Sequence, residues 1–202
     1  MTELVAVAVI TVLAVISPGA DFAMVVRNSY LHGRTTGLMA AAGVAAGVLV
    51  HVTYTMLGVG LLIASSTALF TALKLVGAAY LVYIGVRTFL ARGDVDVDLG
   101  SGPGLTRSGA LRTGFLTNAL NPKTTLFVVS TFTQVVGPGT GLWRQAGYGL
   151  FMSAAHFGWF ALVALFFSNA RLRTGMLRWQ KALNRGIGSV LVGLGVTLGL
   201  AR

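Results

Sequence analysis

Six apolar stretches, each close to the length of a bilayer crossing, leave this chain few ways to fold. They run roughly Leu4–Val26, Gly37–Ile63, Leu69–Phe89, Phe115–Val136, Ala146–Phe167 and Gly186–Ala201. About 20 apolar residues carry a helix across the hydrocarbon core. Backbone polar groups in lipid need internal partners, so such runs read as helices. The sixth run reaches that length by extending back through Leu183, with Arg185 snorkelling. Only 10% of the 202 residues are charged and 55% are hydrophobic, against about 25% charged in soluble domains. The reading is an all-α membrane protein of six transmembrane helices. With no cysteine, a disulfide scaffold and a Cys zinc site are excluded, and neither a cofactor nor a metal is expected. The N-terminus does not read as a secretory signal: it lacks a basic region, carries Glu3, and stays apolar beyond Ser17-Pro18-Gly19.

The few charges are lopsided, with 15 Lys and Arg against 5 Asp and Glu. Such a balance can signal nucleic acid, but here it sorts by membrane face. Loops 1–2, 3–4 and 5–6, with the span ends beside them, hold Arg27, Arg34, Arg87, Arg92, Arg107, Arg112, Arg171, Arg173, Arg178, Lys181 and Arg185. The other face holds Lys74, Arg144 and Arg202, and Lys123 lies inside a span. The positive-inside rule puts the rich face in the cytoplasm and both termini outside. No nucleic-acid partner is needed. Residues 91–111, acidic and then Gly-rich, read as a flexible linker. Arg171–Arg185 reads as an interfacial amphipathic helix or as the basic foot of helix six.

The two halves echo each other. Ser17-Pro18 recurs as Asn121-Pro122 at an offset of 104, His51 as His156 at 105, Lys74 as Arg178 at 104, and Gly85 as Gly195 at 110. Residues 1–92 form one three-helix repeat, 93–111 a cytoplasmic linker and 112–202 the second repeat, in a single transport domain spanning 1–202. A unit with an odd number of spans inserts upside down the second time, which is the inverted-repeat plan of many secondary transporters. In that plan, interrupted helices at matching positions mark the site. Helix one is interrupted at Ser17-Pro18-Gly19 and helix four at Asn118–Lys123. Counted from expected inner ends at Val26 and Phe115, both breaks sit roughly 10–12 Å above the cytoplasmic boundary, at one depth.

The chemistry gathers at those breaks. Asp21 is the acidic residue that falls well inside a span, which makes it a functional-site candidate and the expected proton-coupling group. It can also cap the restarted helix. Lys123 is either a structural ion-pair partner of Asp21 or a cation for an anionic substrate group. Helix-start N–H groups favour a carboxylate as well. Together they suit a zwitterion, with Lys123 and free N–H groups for its carboxylate and Asp21 for its ammonium. Asn118, Asn121 and Ser17 patch the breaks or bind the ligand. His51 and His156 lie mid-helix as packing residues or proton relays. Pro18, Gly19 and Pro122 break the helices. Gly43 with Gly47, and Gly195 with Gly199, form small-xxx-small pairs for close helix approach.

At these residues the sequence resembles the LysE/RhtB-type amino-acid exporters. Ser17-Pro18-Gly19-Ala20-Asp21-Phe22, Gly33-Arg34-Thr35-Thr36-Gly37-Leu38, Gly43-xxx-Gly47 and His51 resemble the first half. The stretch from Lys74 to Leu81, with Gly85, continues it. The run from Gly114 to Lys123, with Phe127, resembles the second-half signature. Ala20 stands where the family usually has a second proline, and Thr124-Thr125-Leu126-Phe127 lacks the acidic residue of the LysE-like branch. The resemblance therefore implies an RhtB-like exporter of homoserine, threonine or similar neutral amino acids. It also implies a bacterial inner-membrane protein driven by protons. Small cation exporters and passive channels share the architecture. An intramembrane enzyme built on Ser17 and His51 lacks any nucleophile-elbow pattern. A homodimer fits a small bundle with Gly-lined faces.

Overall fold

Glycine and proline punctuation divides the apolar runs. In the computed structural model, which describes residues 2–90, 105–136 and 139–200, the described residues form helices without strands. They are α1 (Thr2–Ile16), α2 (Ala20–Ser65), α3 (Thr67–Leu90), α4 (Arg107–Ala119), α5 (Pro122–Val135), α6 (Leu142–Phe167) and α7 (Ala170–Leu200). Helix α2 is two arms, 20–32 and 34–65, joined at Gly33, whose φ of 81° and ψ of 176° leave the helical region. Glycine alone adopts that φ without strain. The interruptions expected in helices one and four are both present, at 17–19 and 120–121.

Two arm ends extend beyond the expected ones. The arm after the first break continues past Val26 to His32, and the arm before the second begins at Arg107 rather than near Phe115. These extra turns carry Arg27 and Arg112, and the polar periodicity of such turns hid them from an apolar-run criterion. Thr106 starts α4 by accepting from Gly109 N at 3.1 Å, the N-cap arrangement. Most of the expected linker, residues 91–104, lies outside the described residues. The segment from Arg171 to Arg185 is continuous with α7, so it is the foot of the last helix and not a separate surface helix.

Helix α2 packs most heavily on α4 and α6, and α3 on α7. Glycine makes the first contact close. A methyl group on Gly43 would overlap Leu111 O, one on Gly114 would overlap Ala40 O, and one on Gly47 would lie 2.8 Å from Asn118 Cβ. The second contact is antiparallel and repeats itself. A methyl group on Gly85 would lie 2.7 Å from Val192 N and 2.9 Å from Gly188 O. One on Gly195 would lie 2.8 Å from Val82 N and 2.9 Å from Ala78 O. An offset of 110 turns each set into the other, as in a self-complementary interface.

Two apolar clusters fill the interior. One joins Val7, Ile10 and Ala14 of α1 to Val48 and Val52 of α2, Phe127, Val128 and Phe132 of α5 with Val136 just beyond it, and Tyr148 and Met152 of α6. The other joins Phe22 and Val25 of the first α2 arm to Ala40 and Val44, Ala110 of α4, and Phe160 to Phe167 of α6. Both helix breaks lie between them in chain order, and so does His156, flanked by Met152 and Phe160. The large exposed side chains are mostly apolar, with Leu57, Leu120, Leu150 and Trp143 among them. Among the described residues two helices, α2 over Ala20–Gly58 across its Gly33 kink and α6, are long and apolar enough to cross a membrane.

Close approach at Gly43 is testable. Gly43→Ala is expected to destabilise the bundle by about 1–3 kcal/mol through overpacking, read as a lowered melting temperature in detergent. Gly147→Ala on α6, where an added methyl group meets nothing within 4 Å, is expected to leave it unchanged.

Candidate functional site

Each break frees backbone groups that a continuous helix would pair, and polar side chains gather around both. Asp21 follows Ala20, the first residue of α2, so its negative charge sits at a helix N-terminus. Its carboxylate is 6% exposed. Oδ2 accepts from Asn118 Nδ2 at 2.9 Å and from Asn121 Nδ2 at 3.0 Å. These amides flank the second break, so one carboxylate oxygen ties the breaks of two distant segments. Asn118 Nδ2 also donates to Thr124 Oγ1 at 3.1 Å. The other oxygen, Asp21 Oδ1, is buried with no hydrogen-bond partner, as is Asn118 Oδ1.

Lys123 occupies the opposite electrostatic niche. Its Nζ donates to Ser17 O at 2.5 Å, just beyond the C-terminus of α1, where the helix dipole favours a cation. Asn121 caps α5 by accepting from Lys123 N at 3.0 Å, with Pro122 in the first turn. Gly19 leaves room for the lysine stem: an added methyl group would lie 3.3 Å from Lys123 Cδ. Asp21 and Lys123 line one pocket, and no ion pair joins them among the described residues. Each keeps separate partners.

The pocket is bounded by Ser17, Gly19, Asp21, Asn121, Lys123, Thr124 and His156, with Ala14, Val15, Phe22, Phe127 and Phe160 as apolar walls. Its volume is about 20 Å³, room for about one water. The hydroxyl of Ser17 shares a 2.6 Å hydrogen bond with Thr88 of α3. Among the described residues no three side chains cluster as a metal site would require.

The two mid-helix histidines differ. His51 Nε2 lies 2.8 Å from Asn118 O, and Nδ1 lies 2.6 Å from Tyr54 Oη. A carbonyl only accepts, so Nε2 carries the proton there and the tyrosine hydroxyl donates to Nδ1. His51 thus gives a second donor to a carbonyl at the second break that also accepts from Asn121 N at 2.8 Å. His156 borders the pocket itself and points Nδ1 to Met152 O of its own helix at 2.7 Å. Sequence reasoning missed Thr88, Thr124, Tyr54 and the three phenylalanines. Thr124 stands two residues beyond Pro122, in the first turn of a restarted helix, and that position was the available signal. The partnering of Thr88 and Tyr54 depends on tertiary placement that no spacing encodes.

A family model described as LysE type translocator matches residues 12–202. The chain belongs to that family. LysE type translocators are membrane transporters of small molecules, not enzymes. The chain is 30% identical to the uncharacterized membrane protein YrhP of Bacillus subtilis, over the whole of both chains. It is 29% identical to the threonine efflux protein of Escherichia coli K12, over 97% of each. It is 25% identical to the homoserine/homoserine lactone efflux protein of Salmonella typhimurium, over 93% of this chain and 91% of that one. No solved structure matches it.

Asn121 serves both the α5 cap and Asp21. Asn121→Ala is expected to destabilise the protein by about 1–2 kcal/mol, measured as a fall in detergent melting temperature. Thr125→Ala, which loses a weaker 3.3 Å bond to Asn121 O, is expected to cost less.

Proposed function

We propose that this LysE type translocator is a secondary exporter of small neutral amino acids, homoserine- or threonine-like, exchanging them for protons across the bacterial inner membrane. The observation that carries the reading is the buried, unpartnered Oδ1 of Asp21 in a pocket that also holds Lys123. A buried acceptor left without a donor is costly. A substrate ammonium group supplies one, and so does a proton. Only one of them occupies the oxygen at a time, which is the competition that exchange requires. Lys123 Nζ and the free N–H groups at the start of α2 then take the carboxylate end. The names of the threonine and homoserine efflux relatives favour the same substrate class.

We propose that this exchange proceeds by alternating access, and the small pocket volume supports that reading. The pocket admits about one water, so an amino acid enters only after one flanking apolar cluster separates. We read the chain as six spans in two inverted three-helix repeats, with α1 and the first arm of α2 as one broken span and α4 with α5 as the other. The self-complementary α3–α7 seam, with its antiparallel offset of 110, supports that reading. The basic excess on the arm ends and on α7 supports a cytoplasmic face there, with both termini outside. Asp21 is the proposed proton carrier, with His51, through Asn118, and His156, at the pocket wall, as the groups beside it. The apolar exterior faces lipid, and its Gly-lined helices leave a homodimer open to test. A cation exporter or a passive channel of this architecture is the alternative; Lys123 in the pocket repels metal ions and disfavours the first.

Reconstituted vesicles with and without a pH gradient test the proposal. The wild type is expected to accumulate threonine or homoserine only with the gradient. Asp21→Asn is expected to insert normally and to lose at least a hundredfold of gradient-driven transport. Wild-type transport by Asp21→Asn, or transport indifferent to the gradient, would contradict the proposal.

A further inference from the structure

Two mid-helix histidines have opposite hydrogen-bonding states, and the difference falls on the one that borders the pocket. His51 has both ring nitrogens engaged, by Asn118 O and Tyr54 Oη. His156 has one engaged. Its Nδ1 faces Met152 O at 2.7 Å, and a carbonyl accepts only, so Nδ1 holds the proton. Nε2 has no partner among the described residues. A neutral ring of that tautomer presents Nε2 as a bare acceptor. The ring is 4% exposed, stands between Phe127 and Phe160 at centroid distances of 6.2 and 6.3 Å, and lines the same pocket as Asp21 and Lys123. Among the pocket-lining side chains, those two charged groups have their ends assigned to the substrate's ammonium and carboxylate. The other polar side chains of the wall already have partners, Ser17 in Thr88, Asn121 in Asp21 and Lys123 N, and Thr124 in Asn118, and Ala14, Val15 and the phenylalanines offer no hydrogen bond.

We propose that His156 Nε2 accepts a hydrogen bond from the substrate's side-chain hydroxyl, making His156 the residue that selects hydroxylated amino acids over their apolar isosteres. The inference rests on the amino-acid export reading above and adds the group that distinguishes substrates within it. Asp21 and Lys123 recognise what every amino acid has. A side-chain hydroxyl placed among phenylalanines without a partner is penalised, and an Nε2 facing a methyl group forfeits its bond. One neutral hydrogen bond of this kind corresponds to about tenfold discrimination.

Threonine and valine differ by a hydroxyl for a methyl group at nearly equal volume, so they isolate the contact. Initial rates of both are measured below saturation in vesicles carrying a pH gradient, and the readout is their ratio, independent of the amount of active protein. The wild type is expected to favour threonine about tenfold. His156→Leu is expected to bring the ratio to within about twofold of unity. His156→Gln, which keeps a polar acceptor at similar volume, is the second variant and is expected to hold an intermediate ratio. A wild type that moves both amino acids with less than twofold preference overturns the inference and leaves amino-acid export standing. Retention of the tenfold preference by His156→Leu, or its collapse to unity in His156→Gln, also overturns it. Failure of the wild type to move either amino acid overturns the export reading, and this inference with it.

Discussion

One carboxylate oxygen holds the two broken helices together. Asp21 Oδ2 receives both Asn118 and Asn121 amides, residues nearly a hundred positions away in the chain. The consequences spread from there. Asn121 can turn its Oδ1 back to cap α5 because its amide is anchored. Asn118 is held against Gly47, so the α2–α4 contact and the polar site share one residue. Lys123 emerges from the capped turn with its ammonium group aimed at the end of α1. A buried carboxylate without such amides is expensive. With them, it is stable enough to leave a second oxygen unpaired.

The polar groups at the two breaks gather in one layer between the apolar clusters. In chain order along α6 the two clusters lie on either side of it, with Met152 and Tyr148, whose hydroxyl donates to Glu3, on one side, Phe160 to Phe167 on the other, and His156 between. Such a layer suits the gated site proposed above, in which one apolar cluster parts while the other stays shut. The close glycine contacts argue for which parts move together. The α3–α7 seam is backbone against backbone on both sides, and dense packing of that type shifts as a unit rather than deforming.

Much of this was legible before any coordinates. Apolar run length gave the helices, and Ser17-Pro18-Gly19 and Asn121-Pro122 gave the breaks, because proline and glycine act locally. Asp21 and Lys123 stood out because charge in an apolar segment is rare. That the breaks meet followed from the repeat. What could not be read was partner choice. The sequence left open an Asp21–Lys123 ion pair, and the side chains instead engage amides and a carbonyl. The opposite tautomers of His51 and His156 depend on which carbonyl each ring faces, and helix phase alone does not set that. The ends of the arms at His32 and Arg107 were missed because their outer turns are polar and capped by local geometry.

The central claim is that the free oxygen of Asp21 receives the substrate's ammonium group. Transport of threonine against N-acetylthreonine, in vesicles with an imposed pH gradient, tests it most directly. Acetylation removes the positive charge and keeps the carboxylate and the hydroxyl. Threonine is expected to move and N-acetylthreonine to stay behind. Equal rates for the two would contradict it.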